Sequence, residues 1–136
     1  MAGKLLVKDL MVRDVKVARP DTSVREVVAA MNQFNVGSII VVQGDKPVGV
    51  ISERDVLRRV VEQCLSPEDV TAGQIMTSPV VTISDSASID EAIKLMAKRR
   101  VRKIPVMEKG KLVGIITYTD IVSRVLSMVS ALGELI

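Results

Sequence analysis

The sequence predicts an α+β protein made of two copies of a single βαββα unit. Three observations carry this reading: a gap-free internal repeat at an offset of 65 residues, a hydrophobic period that changes at the same places in both copies, and paired β-branched runs around a glycine turn. At that offset "MVRDVKVARPDTSVREVVAAMNQFNVGSIIVVQGDKPVGVISERDVLRRV" superposes on "MTSPVVTISDSASIDEAIKLMAKRRVRKIPVMEKGKLVGIITYTDIVSRV". About fifteen positions are identical, including Met11/Met76, Ser23/Ser88, Glu26/Glu91, Gly49/Gly114 and Asp55/Asp120. One copy is too small to be comfortable alone, so the two are expected to pack across an approximate two-fold axis. The first repeat is assigned to 7–62, the linker to 63–71 and the second repeat to 72–130.

Each element follows from local pattern. A short extended segment is expected near Val15 and near Val80. Val24, Val27, Val28 and Met31 fall at helical spacing, as do Ile89, Ala92, Ile93 and Met96, and each run is preceded by Ser-x-x-Glu (Ser23…Glu26, Ser88…Glu91), a capping-box pattern. Next come "SIIVV" and "KIPVM", a turn containing Gly44 or Gly110, and "PVGVIS" or "LVGIIT", a hairpin-like strand pair. A second helix follows, with Val56, Leu57, Val60 and Val61 in one copy and Ile121, Val122, Val125, Leu126 and Val129 in the other.

Composition narrows the chemistry. With 136 residues, 48% hydrophobic and 26% charged, the chain can bury a sizeable core. No apolar run reaches the roughly 18–20 residues of a membrane span, and charges break the amino end before a secretory apolar region forms, so a soluble cytoplasmic protein is expected. Histidine is absent, which removes the commonest general base, and no nucleophile elbow or P-loop is present. The chain is therefore read as non-catalytic. Cys64, the single cysteine, reads as a small packed residue without partners for a disulfide or zinc site.

Ser52…Asp55 and Thr117…Asp120 share the spacing of the two capping boxes, and spacing alone is compatible with a second cap. Their setting differs: each ends an apolar strand containing a glycine, Gly49 or Gly114, that permits close approach to the backbone. A carboxylate just beyond a strand end can accept two hydrogen bonds from a vicinal diol, as in dinucleotide folds. Both readings stay open at this level.

The duplicated pattern, including "VGSIIVVQGDKPVGVISERDV" and "VRKIPVMEKGKLVGIITYTDI", resembles a tandem pair of cystathionine-β-synthase (CBS) domains, the Bateman module, over about residues 7–130. The resemblance implies clefts between the repeats that bind adenosine-containing ligands: AMP, ADP, ATP or S-adenosylmethionine. It also implies that Asp55 with Ser52, and Asp120 with Thr117, meet the ribose. Phosphate contacts are implied for Arg102 and Lys103. The first copy has Gly37 and Ser38 there, with Arg54 as a candidate substitute, so the two sites are expected to differ and the Asp120 site to be the better equipped for phosphate. Adenine contacts are implied around Val15, Val17 and Ile39 for one site, and around Val80, Thr82 and Ile104 for the other.

Two further features bear on partners. Six cations in ten residues, Lys94 to Lys103, together with a net charge of +3, make a nucleic-acid-binding regulator an alternative. The near absence of aromatic residues and the lack of an evident recognition helix disfavour it. The tail "VLSMVSALGELI" keeps apolar residues at helical spacing beyond what the domain needs, so a homodimer through this helix is expected. A purely structural oligomerisation module is the other alternative. The leading expectation is a sensor of adenine nucleotides that acts on a separate, unknown effector protein.

Overall fold

The computed structural model describes residues 4–135. Elements occur in the order α1 (Val7–Leu10), β1 (Val17–Ala18), α2 (Val24–Phe34), β2 (Ser38–Gln43), β3 (Lys46–Ser52) and α3 (Glu53–Val56), which runs into a π-helical turn (Leu57–Val61). They continue as α4 (Ala72–Ile75), β4 (Ile83–Ser84), α5 (Ile89–Arg99), β5 (Lys103–Glu108), β6 (Lys111–Thr117) and α6 (Tyr118–Gly133). The expected βαββα order appears twice. The short strands lie at Val17–Ala18 and Ile83–Ser84, two or three residues beyond the expected Val15 and Val80.

The chain divides into two compact units at Val15/Lys16 and Val80/Val81, positions equivalent under the repeat. The unit Lys16–Val80 contains the sheet β1-β2-β3; the unit formed by the residues up to Val15 and from Val81 onward contains β4-β5-β6. In each sheet the first pair is parallel and the second antiparallel. Short helices therefore exchange partners relative to the sequence repeats. Helix α1 precedes the first repeat's strands but belongs to the unit of β4–β6, and α4 belongs to the unit of β1–β3.

In the Lys16–Val80 unit, Val24, Val27 and Met31 of α2 pack with Ile39, Val41, Ile51, Val60, Val70, Ala72 and Ile75. Ser23 caps α2 by accepting the Glu26 N–H at 3.2 Å, and Asn35 ends it in the left-handed conformation. The linker is ordered against this helix: the Val24 N–H donates to the Val70 carbonyl at 2.8 Å and the Arg25 N–H to the Pro67 carbonyl at 3.0 Å. In the other unit Val7, Ala92, Met96, Ile104, Val106, Ile116 and Ile121 form the core, and Ser88 caps α5 through the Glu91 N–H at 3.1 Å.

Equivalent methionines close both sheets. Met76 lies over Gly49, where an added Cβ would come within 2.7 Å of its Cγ; at Gly114 the same atom would meet Met11 Sδ at 2.7 Å and the Val12 carbonyl oxygen at 2.9 Å. The close approach that these glycines permit is thus filled from within the chain. Next to each methionine the backbone pairs with the sheet edge, Thr77 with Val50 and Val12 with Ile115.

Three expectations need correction. The apolar residues assigned to the second helix of each copy are only partly core-facing: Val60 and Ile121 are buried, whereas Leu57, Val61, Val122, Val125, Leu126 and Val129 are exposed. In the first copy the helix also widens into the π turn, where the Glu62 N–H reaches the Leu57 carbonyl at 2.9 Å. A second difference comes from Pro105. Val17 pairs with Ile40, but Pro105, the residue equivalent to Ile40, has no N–H to share, and β4 begins one position later at Ile83↔Val106. Thr82 is left just outside the strand. The third concerns Cys64, expected to be packed: it lies in the turn after the π-helical residues and is exposed.

Candidate functional site

Two carboxylates sit at equivalent strand-to-helix junctions, one in each unit. Both junctions are helix caps: the Asp55 N–H donates to Ser52 Oγ at 3.2 Å and the Asp120 N–H to Thr117 Oγ1 at 3.2 Å. The side chains return the contact, Ser52 Oγ donating to Asp55 Oδ2 at 3.1 Å and Thr117 Oγ1 to Asp120 Oδ2 at 2.6 Å. Because the single Thr117 hydroxyl proton goes to the carboxylate, the 2.9 Å contact with Thr119 has Thr119 as donor. All four cap residues are half-buried, so each acid is reachable yet held.

Beyond the cap the two acids differ. Asp55 Oδ2 also accepts the Ser52 N–H at 2.8 Å, completing a reciprocal capping box, and Asp55 Oδ1 accepts the Thr77 hydroxyl at 3.2 Å. Both oxygens are engaged. Asp120 uses Oδ2 alone, and its Oδ1 accepts no hydrogen bond from any described residue. The Ser-x-x-Glu pairs at Ser23 and Ser88 are hydroxyl caps without a side-chain return from the glutamate.

The ground next to the acids differs in charge. At the start of the helix that carries Asp120, the Arg102 guanidinium stands over the Tyr118 ring, 5.6 Å from its centroid, and the Tyr118 N–H donates to the Arg102 carbonyl at 2.9 Å. The equivalent pair in the other unit is Gly37 and Glu53, joined by the same backbone bond at 3.1 Å. There the Glu53 carboxylate folds over the glycine, its Oε1 3.5 Å from where a Gly37 Cβ would lie. Thus a cation on an aromatic ring in one unit corresponds to an anion in the other.

The remaining candidates fall into three groups. Ile39 and Ile104 are fully buried, and their side chains belong to the two cores. Val15 and Val80 are half-buried at the unit boundaries, Val17 is 48% exposed on β1 and Thr82 is exposed. Arg54, Arg102 and Lys103 are exposed, and the Arg54 side chain forms no hydrogen bond or ion pair with a described residue. Thr77, Glu53 and Tyr118 were missed by the sequence reading. The signal was available: at the 65-residue offset they stand opposite Val12, Tyr118 and Glu53, positions at which the two copies depart from one another.

The duplicated βαββα architecture, with a capped acid at the strand-to-helix junction of each unit, defines a repeat-built module of two α+β units. The CBS domain model matches residues 7–62 and 72–127, and the chain belongs to the CBS-domain family. It is 36% identical over 124 residues to the uncharacterized protein MK0525 of Methanopyrus kandleri, covering 90% of this chain but 63% of that protein. It is 30% identical to the CBS domain-containing protein YhcV of Bacillus subtilis, with 92% of this chain and 89% of YhcV covered. Inosine-5'-monophosphate dehydrogenase of Thermoplasma acidophilum shares 34% identity over 85% of this chain, which spans 22% of the enzyme; there the pair is one part of a larger protein. Among solved structures, an uncharacterized conserved protein from Pyrococcus horikoshii aligns with a TM-score of 0.78 at 32% identity, covering 91% of this chain and 94% of that one. A hexameric CBS-CP12 protein from bloom-forming cyanobacteria aligns with a TM-score of 0.77 at 26% identity over 88% of this chain and 67% of its own. Among the described residues no helix is long and apolar enough to cross a membrane.

Proposed function

We propose that the chain is a non-catalytic cytoplasmic sensor of adenosine-containing ligands, with AMP first and ADP, ATP or S-adenosylmethionine as the other candidates. Ligand binding shifts its conformational population, and an effector protein reads that shift. The observation that carries the reading is Asp120: a half-buried carboxylate held by Thr117 through one oxygen, with Oδ1 open and, two residues before it, Tyr118 carrying the Arg102 guanidinium on its ring. One ribose hydroxyl suits that open oxygen and a second can join the Thr117-bound one, while the guanidinium suits a phosphate. A ligand shifts the population only by the difference in its affinity for the alternative states, so a sensor needs no bond-making residue. A thermal-shift screen against AMP, ADP, ATP, S-adenosylmethionine and short duplex DNA tests this. Ligand at about 100 times its dissociation constant adds roughly 2.7 kcal/mol, a rise of several degrees for a chain this size. Stabilisation by DNA and by none of the adenosyl ligands would overturn the proposal.

The sensor is proposed to be a homodimer through α6. Val122, Val125, Leu126, Val129 and Leu132 form a stripe at helical spacing, all exposed, Leu126 at 61% and Leu132 at 64%. The hexameric cyanobacterial relative supports self-association of this architecture. Sedimentation at tens of micromolar is expected to show a dimer, and Leu126→Glu a monomer with an unchanged far-UV spectrum. A monomeric native chain would refute this assembly.

A further inference from the structure

The backbone around the two acids is nearly the same, so the side chains that differ decide what each can hold. In the unit of β1–β3, the Thr77 N–H and carbonyl pair with Val50 at 2.9 and 3.0 Å. The preceding turn is held by Arg59, whose Nη1 donates to the carbonyls of Ile75 at 2.8 Å and Met76 at 3.1 Å. Thr77 is thereby fixed over the end of the sheet with its hydroxyl on Asp55 Oδ1. In the other unit Val12 occupies the equivalent place and makes the same two backbone bonds to Ile115, both at 2.9 Å. Its side chain has no hydroxyl to give, and Asp120 Oδ1 stays open.

Resting on the reading of Asp120 as a ribose acceptor, we infer that Thr77 and Glu53 close the Asp55 position to nucleotides, so that each chain takes up one nucleotide, at Asp120. Thr77 supplies from within the chain the kind of hydrogen bond a ribose hydroxyl would make, and Asp55 is already held by Ser52 through two donors. A diol arriving at Asp55 finds Oδ2 already taking two donors and must share Oδ1 with a hydroxyl whose backbone is fixed, so it gains less there than at Asp120, where one oxygen is open and the other takes a single donor. Glu53 then opposes the phosphate: it places a negative charge where the Asp120 position has Tyr118 carrying Arg102. Thr77 and Glu53 therefore determine stoichiometry and ligand charge, and Asp55 itself serves as a helix cap.

Isothermal titration of the full chain with AMP, and separately with ATP, tests this. The native chain is expected to show one binding event per chain, which Asp120→Ala weakens. The double variant Thr77→Val with Glu53→Gln should add a second event, and this second event should persist when Asp120→Ala is added. Thr77→Ser keeps the hydroxyl and should behave like the native chain. The reciprocal Val12→Thr should weaken the native event by about tenfold, the loss of roughly one hydrogen bond to a charged acceptor. Melting curves of every variant confirm that it is folded. Two equal events in the native chain, or no second event in a folded double variant whose first event still depends on Asp120, would overturn the inference and leave the ribose reading standing. No event with either nucleotide in any folded variant would overturn both.

Discussion

Asp120→Ala is expected to weaken adenine-nucleotide binding by about 1.5–3 kcal/mol, roughly 10- to 150-fold in dissociation constant, while changing stability little. The two effects separate because the cap and the carboxylate use different atoms. The capping bond runs from the backbone N–H of residue 120 to Thr117 Oγ1, and the substitution leaves both groups in place. What disappears is the carboxylate, including the open Oδ1. Its contribution to the helix dipole is on the order of 0.3–1 kcal/mol. Asp120→Asn keeps an acceptor oxygen but not its charge and should fall between the two. If titration gives native affinity for Asp120→Ala while the melting temperature drops, the acid is a cap only and the binding site lies elsewhere.

Val7→Asp should destabilise the unit of β4–β6 by about 3–5 kcal/mol, although Val7 precedes the first repeat's strands in the chain. Val7 is fully buried, at 0% exposure, in a core with Ala92, Ile104, Val106 and Ile116. A carboxylate there has no buried partner, since that core is apolar throughout. Amide exchange should quicken first in β5 and β6. The equivalent change, Ala72→Asp, should act instead on β2 and β3, because Ala72 lies in the core of that unit. If each substitution loosened the sheet of its own sequence repeat, the exchanged short helices would be refuted.

The repeat, the helices and the hairpins were legible because each is written in local terms. Val24, Val27 and Met31 recur at the helical period, and all three are buried; "SIIVV" and "PVGVIS" are β-branched runs around Gly44, and they pair as β2 and β3. Ser52…Asp55 and Thr117…Asp120 stood out as a pair for the same reason. Less visible were α1 and α4, each a single turn of four residues, too short to show a period. Their reach-back caps, the Leu6 N–H to Asp9 Oδ2 at 2.8 Å and the Thr71 N–H to Gln74 Oε1 at 2.9 Å, are apparent only with the backbone in place.

Sequence alone therefore determined the duplicated βαββα order and the equivalence of Asp55 with Asp120, since periodicity and a constant offset need no knowledge of contacts. Which short helix completes which core, and which acid keeps a free oxygen, were decided only by tertiary structure. Both depend on residues about 20 or more positions apart meeting in space: Val7 with Ile104, Thr77 with Asp55. The glycines at 49 and 114 carry the same lesson. Their close approach was readable from the chain, but that methionines 76 and 11 fill it follows from packing, because only the folded backbone places those side chains against the sheet.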